Sequence, residues 1–100
     1  MWVYLNGDFL ESSQAKISPL DRGFTFGEGV YEVIPSYGKN FFLFHEHFNR
    51  LKSSLEQTFI PYPEELSNLQ DILSDLYDRN GFSNQYFYIQ VTRGVQEFRS

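Results

Sequence analysis

Residues 44–51, Phe-His-Glu-His-Phe-Asn-Arg-Leu, gather two imidazoles, a carboxylate and a guanidinium into a short stretch, and metal binding and phosphate binding are the chemistries to weigh. His45 and His47 are two apart, which puts them on different faces of a helix. The chain has no cysteine and no third histidine to complete a zinc site, so a metal centre is not expected. Arg50 follows Glu46 and His47 by one helical turn, so the three side chains reach one region. A guanidinium fork near a helix start suits a phosphate, and a surface ion pair with Glu46 is the competing fate.

A second candidate lies upstream, in Asp-Arg-Gly-Phe-Thr-Phe-Gly-Glu-Gly-Val-Tyr-Glu-Val, residues 21–33. On a strand Tyr31 shares a face with Val33 and Pro35, while Val30, Glu32 and Ile34 point the other way. Glu32 then sits in an apolar row, where an unpaired carboxylate is too costly. It either pairs with a cation, Arg22 being one candidate, or points into a polar cavity. Gly23, Gly27 and Gly29 match no phosphate-cradling fingerprint. A structural turn is the favoured reading, with close backbone approach as the alternative.

The elements that must hold these side chains follow from local pattern. Trp2 to Leu5 and Asp8 to Glu11 flank Asn6-Gly7, a pair that tolerates the positive φ angles of a tight primed turn, so a hairpin is expected. Residues 12–23 carry Ser, Pro and Gly with little periodicity and read as a loop. Two extended runs follow, Val30 to Tyr37 and Asn40 to Phe44, joined by Gly38-Lys39. Pro35 inside the first run implies that its missing N–H faces an edge or a bulge. Phe44, Phe48, Leu51 and Leu55 then recur at three- and four-residue intervals, the stripe of a helix of about four turns. Leu66, Leu69, Leu73 and Leu76 repeat the pattern, with Glu64 and Glu65 in the first turn and Asn80-Gly81 as the stop. Residues 84–94 alternate again, with Tyr86, Tyr88, Gln90 and Thr92 on one face and Phe87, Ile89, Val91 and Arg93 on the other. The expected fold class is α+β: a mostly antiparallel sheet with two helices packed on one side.

Composition bounds the rest. One hundred residues, 41% hydrophobic and 19% aromatic, supply one core. The net charge of −5 has the wrong sign for a nucleic acid partner, so binding through Arg93 and Arg99 is disfavoured. No apolar run is long enough for a membrane span, no signal-peptide pattern is visible and cysteine is absent, leaving the cytoplasm as the default location.

Taken together, the Asn-Gly hairpin, the Asp-Arg-Gly loop, Phe-Gly-Glu-Gly-Val-Tyr-Glu, the Glu-His-Phe-Asn-Arg-Leu helix start and the Thr-Arg-Gly strand end resemble, in order and spacing, the amino-terminal domain of the class IV, fold-type IV aminotransferases. The resemblance covers essentially the whole chain and is nearest to the D-amino acid transaminases. It implies pyridoxal 5'-phosphate as cofactor, amino acid and 2-oxo acid substrates, and a homodimer. Arg50 matches the arginine that holds the cofactor phosphate. Tyr31 matches the tyrosine that lines the substrate side of the cofactor and, in D-amino acid transaminases, helps hold the substrate carboxylate. Arg99 stands where the D-amino acid subgroup has an arginine that reaches across the dimer to that carboxylate, and it alone leans toward this subgroup. Pro35 departs from the family's usual continuation of the strand, which is often basic or polar. Lys16, Lys39 and Lys52 lie in none of the family's motifs, so the Schiff-base lysine is expected in a carboxy-terminal domain absent from this chain. Residues 1–100 are then a single amino-terminal domain, with no catalytic residue of its own and inactive in isolation. Branched-chain aminotransferases and aminodeoxychorismate lyases share the earlier motifs and remain alternatives, as does a non-catalytic interaction domain.

Overall fold

The computed structural model describes residues 1–95. Five strands fall into two antiparallel sheets, and two longer helices cover one face of the larger. The first sheet is the hairpin β1 (Trp2–Leu5) and β2 (Asp8–Glu11), in register from Trp2↔Glu11 to Leu5↔Asp8. Asn6 and Gly7 take φ of 50° and 96°, the left-handed conformations that the primed turn requires. The hairpin is moored to the helical layer by Asn80, whose amide oxygen accepts from the Trp2 N–H at 2.7 Å and whose amide nitrogen donates to the Trp2 carbonyl at 3.0 Å.

The loop expected over residues 12–23 contains a 3-10 turn at Ser12–Gln14 and, at its end, the start of the single turn α1 (Arg22–Thr25). Asp21 starts α1 by accepting the Gly23 N–H at 2.8 Å, a local side-chain cap that four residues of sequence give no periodicity to reveal. Strand β3 (Gly29–Tyr37) is the centre of the second sheet, with the two-residue β4 (Asn40–Phe41) on one side and β5 (Asn84–Thr92) on the other. The extended run expected up to Phe44 stops early. Leu43 takes the left-handed φ of 53° and turns the chain into α2 (Phe44–Thr58). Pro35 fits where it stands because its carbonyl accepts the Phe42 N–H, so its nitrogen faces the same edge, just past the end of β4.

Helix α2 turns Leu51 and Leu55 into the core and lays Phe44 and Phe48 against it. A second 3-10 stretch, Glu64–Asn68, leads into α3 (Leu69–Asn80), which ends on Gly81 at φ 76°. Ile34, Leu51, Leu55, Ile60, Leu66, Leu69, Leu73 and Phe87 form the buried cluster between helices and sheet. Each such side chain contributes on the order of 2 kcal/mol on burial. The packing fixes the sheet's orientation: Val30, Glu32, Ile34 and Ser36 face the helices, while Tyr31, Val33 and Tyr37 lie on the open side with Tyr86 and Tyr88.

Candidate functional site

Strand alternation delivers Glu32 to the helix-facing side of β3, where its side chain is only 5% exposed. Two side chains of α2, spaced three residues apart and so on one helical face, meet it there. Arg50 donates through Nε to Glu32 Oε2 and through Nη2 to Oε1, both at 2.8 Å, and His47 Nδ1 lies 2.8 Å from the same Oε1. An ionised carboxylate only accepts, so the hydrogen of the imidazole contact sits on Nδ1. The Arg50 fork, and to a lesser degree His47, holds the Glu32 carboxyl below its ordinary range against the upward pull of burial. Both partners of Glu32 come from α2 rather than from Arg22, and Arg50 reaches β3 rather than the exposed Glu46 one turn before it. A buried carboxylate across the helix–sheet interface offers a drier, stronger contact than a solvated neighbour on the same helix.

Arg50 is not exhausted by this pair. Its side chain is 67% exposed, and two of the five guanidinium N–H groups are engaged, which leaves three for a ligand.

Tyr31 occupies the opposite face of the same strand, adjacent in sequence to Glu32 and 61% exposed. Its ring stacks on Tyr88 with centroids 5.4 Å apart and planes 17° from parallel, a diagonal cross-strand pair in the β3–β5 register. The Tyr88 hydroxyl lies 3.0 Å from Gln90 Oε1, whereas the Tyr31 hydroxyl has no partner among the described residues. The stack thus presents one phenol committed within the sheet and one open to a ligand. Arg50 and Tyr31 flank β3 from opposite sides. A cleft of about 920 Å³ between the hairpin, α3 and the outer edge of β5 is lined by neither of them. Arg99, the third residue singled out in the sequence, lies outside the described residues.

Arg22 belongs to a separate cluster. It grips Glu28 side-on through Nε at 3.0 Å and through Nη2, and Arg93 Nε donates to the same carboxylate. Arg93 also donates to the carbonyls of Phe59 and Thr58, at 2.9 and 2.8 Å, tying the end of β5 to the end of α2. The glycines serve this close-packed corner. A Cβ on Gly23 would stand 2.6 Å from Thr92 Cγ2, and Gly27 turns at φ 65°. His47 is the residue whose role the sequence leaves undecided. Its spacing from Arg50 is the available signal, and the sheet-borne carboxylate between them is the half that spacing does not supply.

Among the described residues no helix is long and apolar enough to cross a membrane. The family model for amino-transferase class IV matches residues 29–100. The D-alanine aminotransferase of Staphylococcus haemolyticus is 38% identical over 93 residues, which is 93% of this chain and 33% of that protein. That of Listeria monocytogenes is 37% identical over 100 residues, which is 100% of this chain and 35% of that protein. Among solved structures, the T.th. branched-chain amino acid aminotransferase complexed with N-(5'-phosphopyridoxyl)-L-glutamate superposes with a TM-score of 0.87 at 24% identity, over 98% of this chain and 34% of that one. The branched-chain aminotransferase of Thermoproteus uzoniensis with norvaline gives 0.75 at 26% identity, over 90% and 31%. The chain spans about a third of the length of the relatives it matches. Its sheet, helices and topology are those of the amino-terminal domain of fold-type IV aminotransferases. On the match over residues 29–100, this chain belongs to the class IV amino-transferase family.

Proposed function

We propose that the chain is the amino-terminal domain of a pyridoxal-phosphate-dependent transaminase that moves an amino group between a D-amino acid and a 2-oxo acid. One observation carries the reading: a guanidinium whose Nε/Nη2 edge is braced by a buried carboxylate while three N–H groups remain for an anion. That donor set fits the phosphate end of pyridoxal 5'-phosphate, where planar forked donors match tetrahedral oxygen geometry. The cofactor, when bound, supplies the electron sink for the chemistry at the substrate α-carbon. Arg50 holds the phosphate. The Tyr31 phenol, stiffened by the Tyr88 stack, donates to a substrate carboxylate, and Arg99 adds a cation for the same group. Holding the carboxylate leaves the amino group pointed toward the lysine of a carboxy-terminal domain. The aromatic face bearing Tyr31 and Tyr88 suits a subunit contact, and a homodimer is part of the proposal.

The relatives named D-alanine aminotransferase favour a D-amino acid donor, since their identity exceeds that of the branched-chain structures. The likeness to the Thermoproteus uzoniensis enzyme supports an L-branched-chain donor as the second reading. Pyruvate formation from D-alanine and 2-oxoglutarate, compared with 2-oxo acid formation from L-leucine, decides between them in the complete enzyme. Turnover of D-alanine alone is the expected outcome. Loss of activity with retained cofactor absorbance on Tyr31→Phe checks the carboxylate role, and the isolated chain is expected to show neither cofactor absorbance nor turnover.

A further inference from the structure

The contact between Glu32 and Arg50 is costly as a mere neutralisation. Burying a carboxylate costs several kcal/mol of hydration, and replacing a buried ion pair by apolar side chains is often neutral or stabilising. Its other half is mostly in water, where an ion pair contributes little. What the arrangement does achieve is orientation. A free arginine side chain at an exposed position samples many rotamers, and its ordering opposes ligand binding. Here Nε and Nη2 are both pinned by one carboxylate, which fixes the guanidinium plane as well as its position. The carboxylate is prevented from swinging in turn, because His47 Nδ1 holds Oε1 from the same helix that carries Arg50. No buried side-chain polar atom is left without a partner among the described residues, so the array is satisfied before any ligand arrives.

We propose that Glu32 and His47 are positioning residues that aim the free edge of Arg50 at the cofactor phosphate. This rests on the reading of Arg50 as the phosphate anchor. The ordering cost of the arginine is met during folding, so the phosphate binds a preset fork. Glu32→Gln keeps the shape but turns one acceptor into a donor facing another donor, and the plane is released.

The test uses the complete enzyme stripped of cofactor. Affinities for pyridoxal 5'-phosphate and for phosphate-free pyridoxal are measured in the parent, Glu32→Gln, Arg50→Lys and the double variant. The phosphorus NMR resonance of the bound cofactor and the thermal midpoint of the apoenzyme are recorded alongside. Glu32→Gln is expected to weaken the phosphorylated cofactor on the order of tenfold, the usual scale for losing an orienting partner, with pyridoxal unchanged and the phosphorus resonance displaced. In the Arg50→Lys background the same change adds less than about twofold, because the two act through one contact. Should Glu32→Gln fail to fold, His47→Gln replaces it and moves the same readouts in the same direction. A lowered thermal midpoint with the ratio of the two affinities unchanged would reduce Glu32 to a structural partner and overturn the proposal. If Arg50→Lys itself leaves the affinity for the phosphorylated cofactor intact, the anchor reading fails first and the positioning role falls with it.

Discussion

Glu28 and Glu32 stand four residues apart around the start of β3, and each is gripped by two basic side chains. At Glu28 the grip is closed: Arg93 turns both of its terminal nitrogens to the Phe59 and Thr58 carbonyls, and the corner ties β5, α2 and the Asp-Arg-Gly loop together. At Glu32 it is open, because Arg50 keeps three N–H groups and most of its surface in water. Carboxylate–arginine chemistry is the same in both places. What differs is the terminal nitrogens: both of Arg93's make contacts inside the fold, whereas Arg50 commits only Nη2 to Glu32 and leaves Nη1 open, and that separates a clasp from the binding element proposed at Arg50.

The largest effect should come from exchanging insults between the two clusters. Arg50→Lys in the complete enzyme, which gives up the planar fork, is expected to weaken pyridoxal 5'-phosphate about a hundredfold with little change in apoenzyme unfolding. Arg93→Lys should do the reverse, losing about 1 kcal/mol of stability through the two carbonyl contacts and leaving cofactor affinity within about twofold. Cofactor titration and urea unfolding on both variants give the four numbers, and an equal loss of affinity in Arg93→Lys would erase the distinction.

Next in size is Gly23→Ala, aimed at the clasp alone. The added Cβ lies 2.6 Å from Thr92 Cγ2 and 3.0 Å from Asp21 Oδ1, so β5 or the α1 cap must move. About 1–3 kcal/mol of destabilisation is expected, the scale of overpacking. Thr92→Ser in the same chain removes the opposing methyl and should recover much of it.

What is legible in the sequence follows the range of the interactions. The hairpin is readable because Asn6-Gly7 sets its turn by local backbone preference, and α2 because Phe44, Phe48, Leu51 and Leu55 repeat within one element. The alternation that places Tyr31 and Glu32 on opposite faces is likewise local, and it holds over the whole of β3. The end of β4 is hidden by Leu43, whose left-handed φ is imposed by the entry to α2 and has no glycine to announce it. The partners are the other gap. Glu32 is recognisable as needing a cation, but Arg22 and Arg50 are equally arginine in sequence, and only the docking of α2 on β3 selects between them. The same docking takes Arg50 away from Glu46, its nearest acidic neighbour one turn back.

Acid titration separates the clusters more gently. Arg22 above all, then Arg93, holds the Glu28 carboxyl at about 2, and Arg50 with His47 lowers that of Glu32. Carboxyls depressed in the folded chain stabilise it above their ordinary value, and that contribution is lost as the pH falls through the folded one. Urea midpoints should therefore decline between pH of about 4.5 and 2, and Glu28→Gln should flatten that decline at its acid end. An unchanged slope in Glu28→Gln would mean that the clasp contributes nothing to acid sensitivity.

The smallest expected change has the opposite sign and bears on why the clasp is there. Phe59 closes α2 in the left-handed region at φ 57°, 84% exposed, a conformation that costs a non-glycine residue on the order of 1 kcal/mol. Its carbonyl and that of Thr58 receive Arg93, so the strained end is held from the far end of β5. Phe59→Gly relieves the strain while sacrificing little buried surface, and a gain of up to about 1 kcal/mol in urea unfolding is expected. The gain should shrink when Arg93 is also replaced by lysine, because the released end of α2 can then relax out of the left-handed turn and part of the strain is already gone. A gain of the same size in both backgrounds would show that Arg93 and the left-handed turn act independently, and that the closed cluster serves β5 and the Asp-Arg-Gly loop rather than the end of α2.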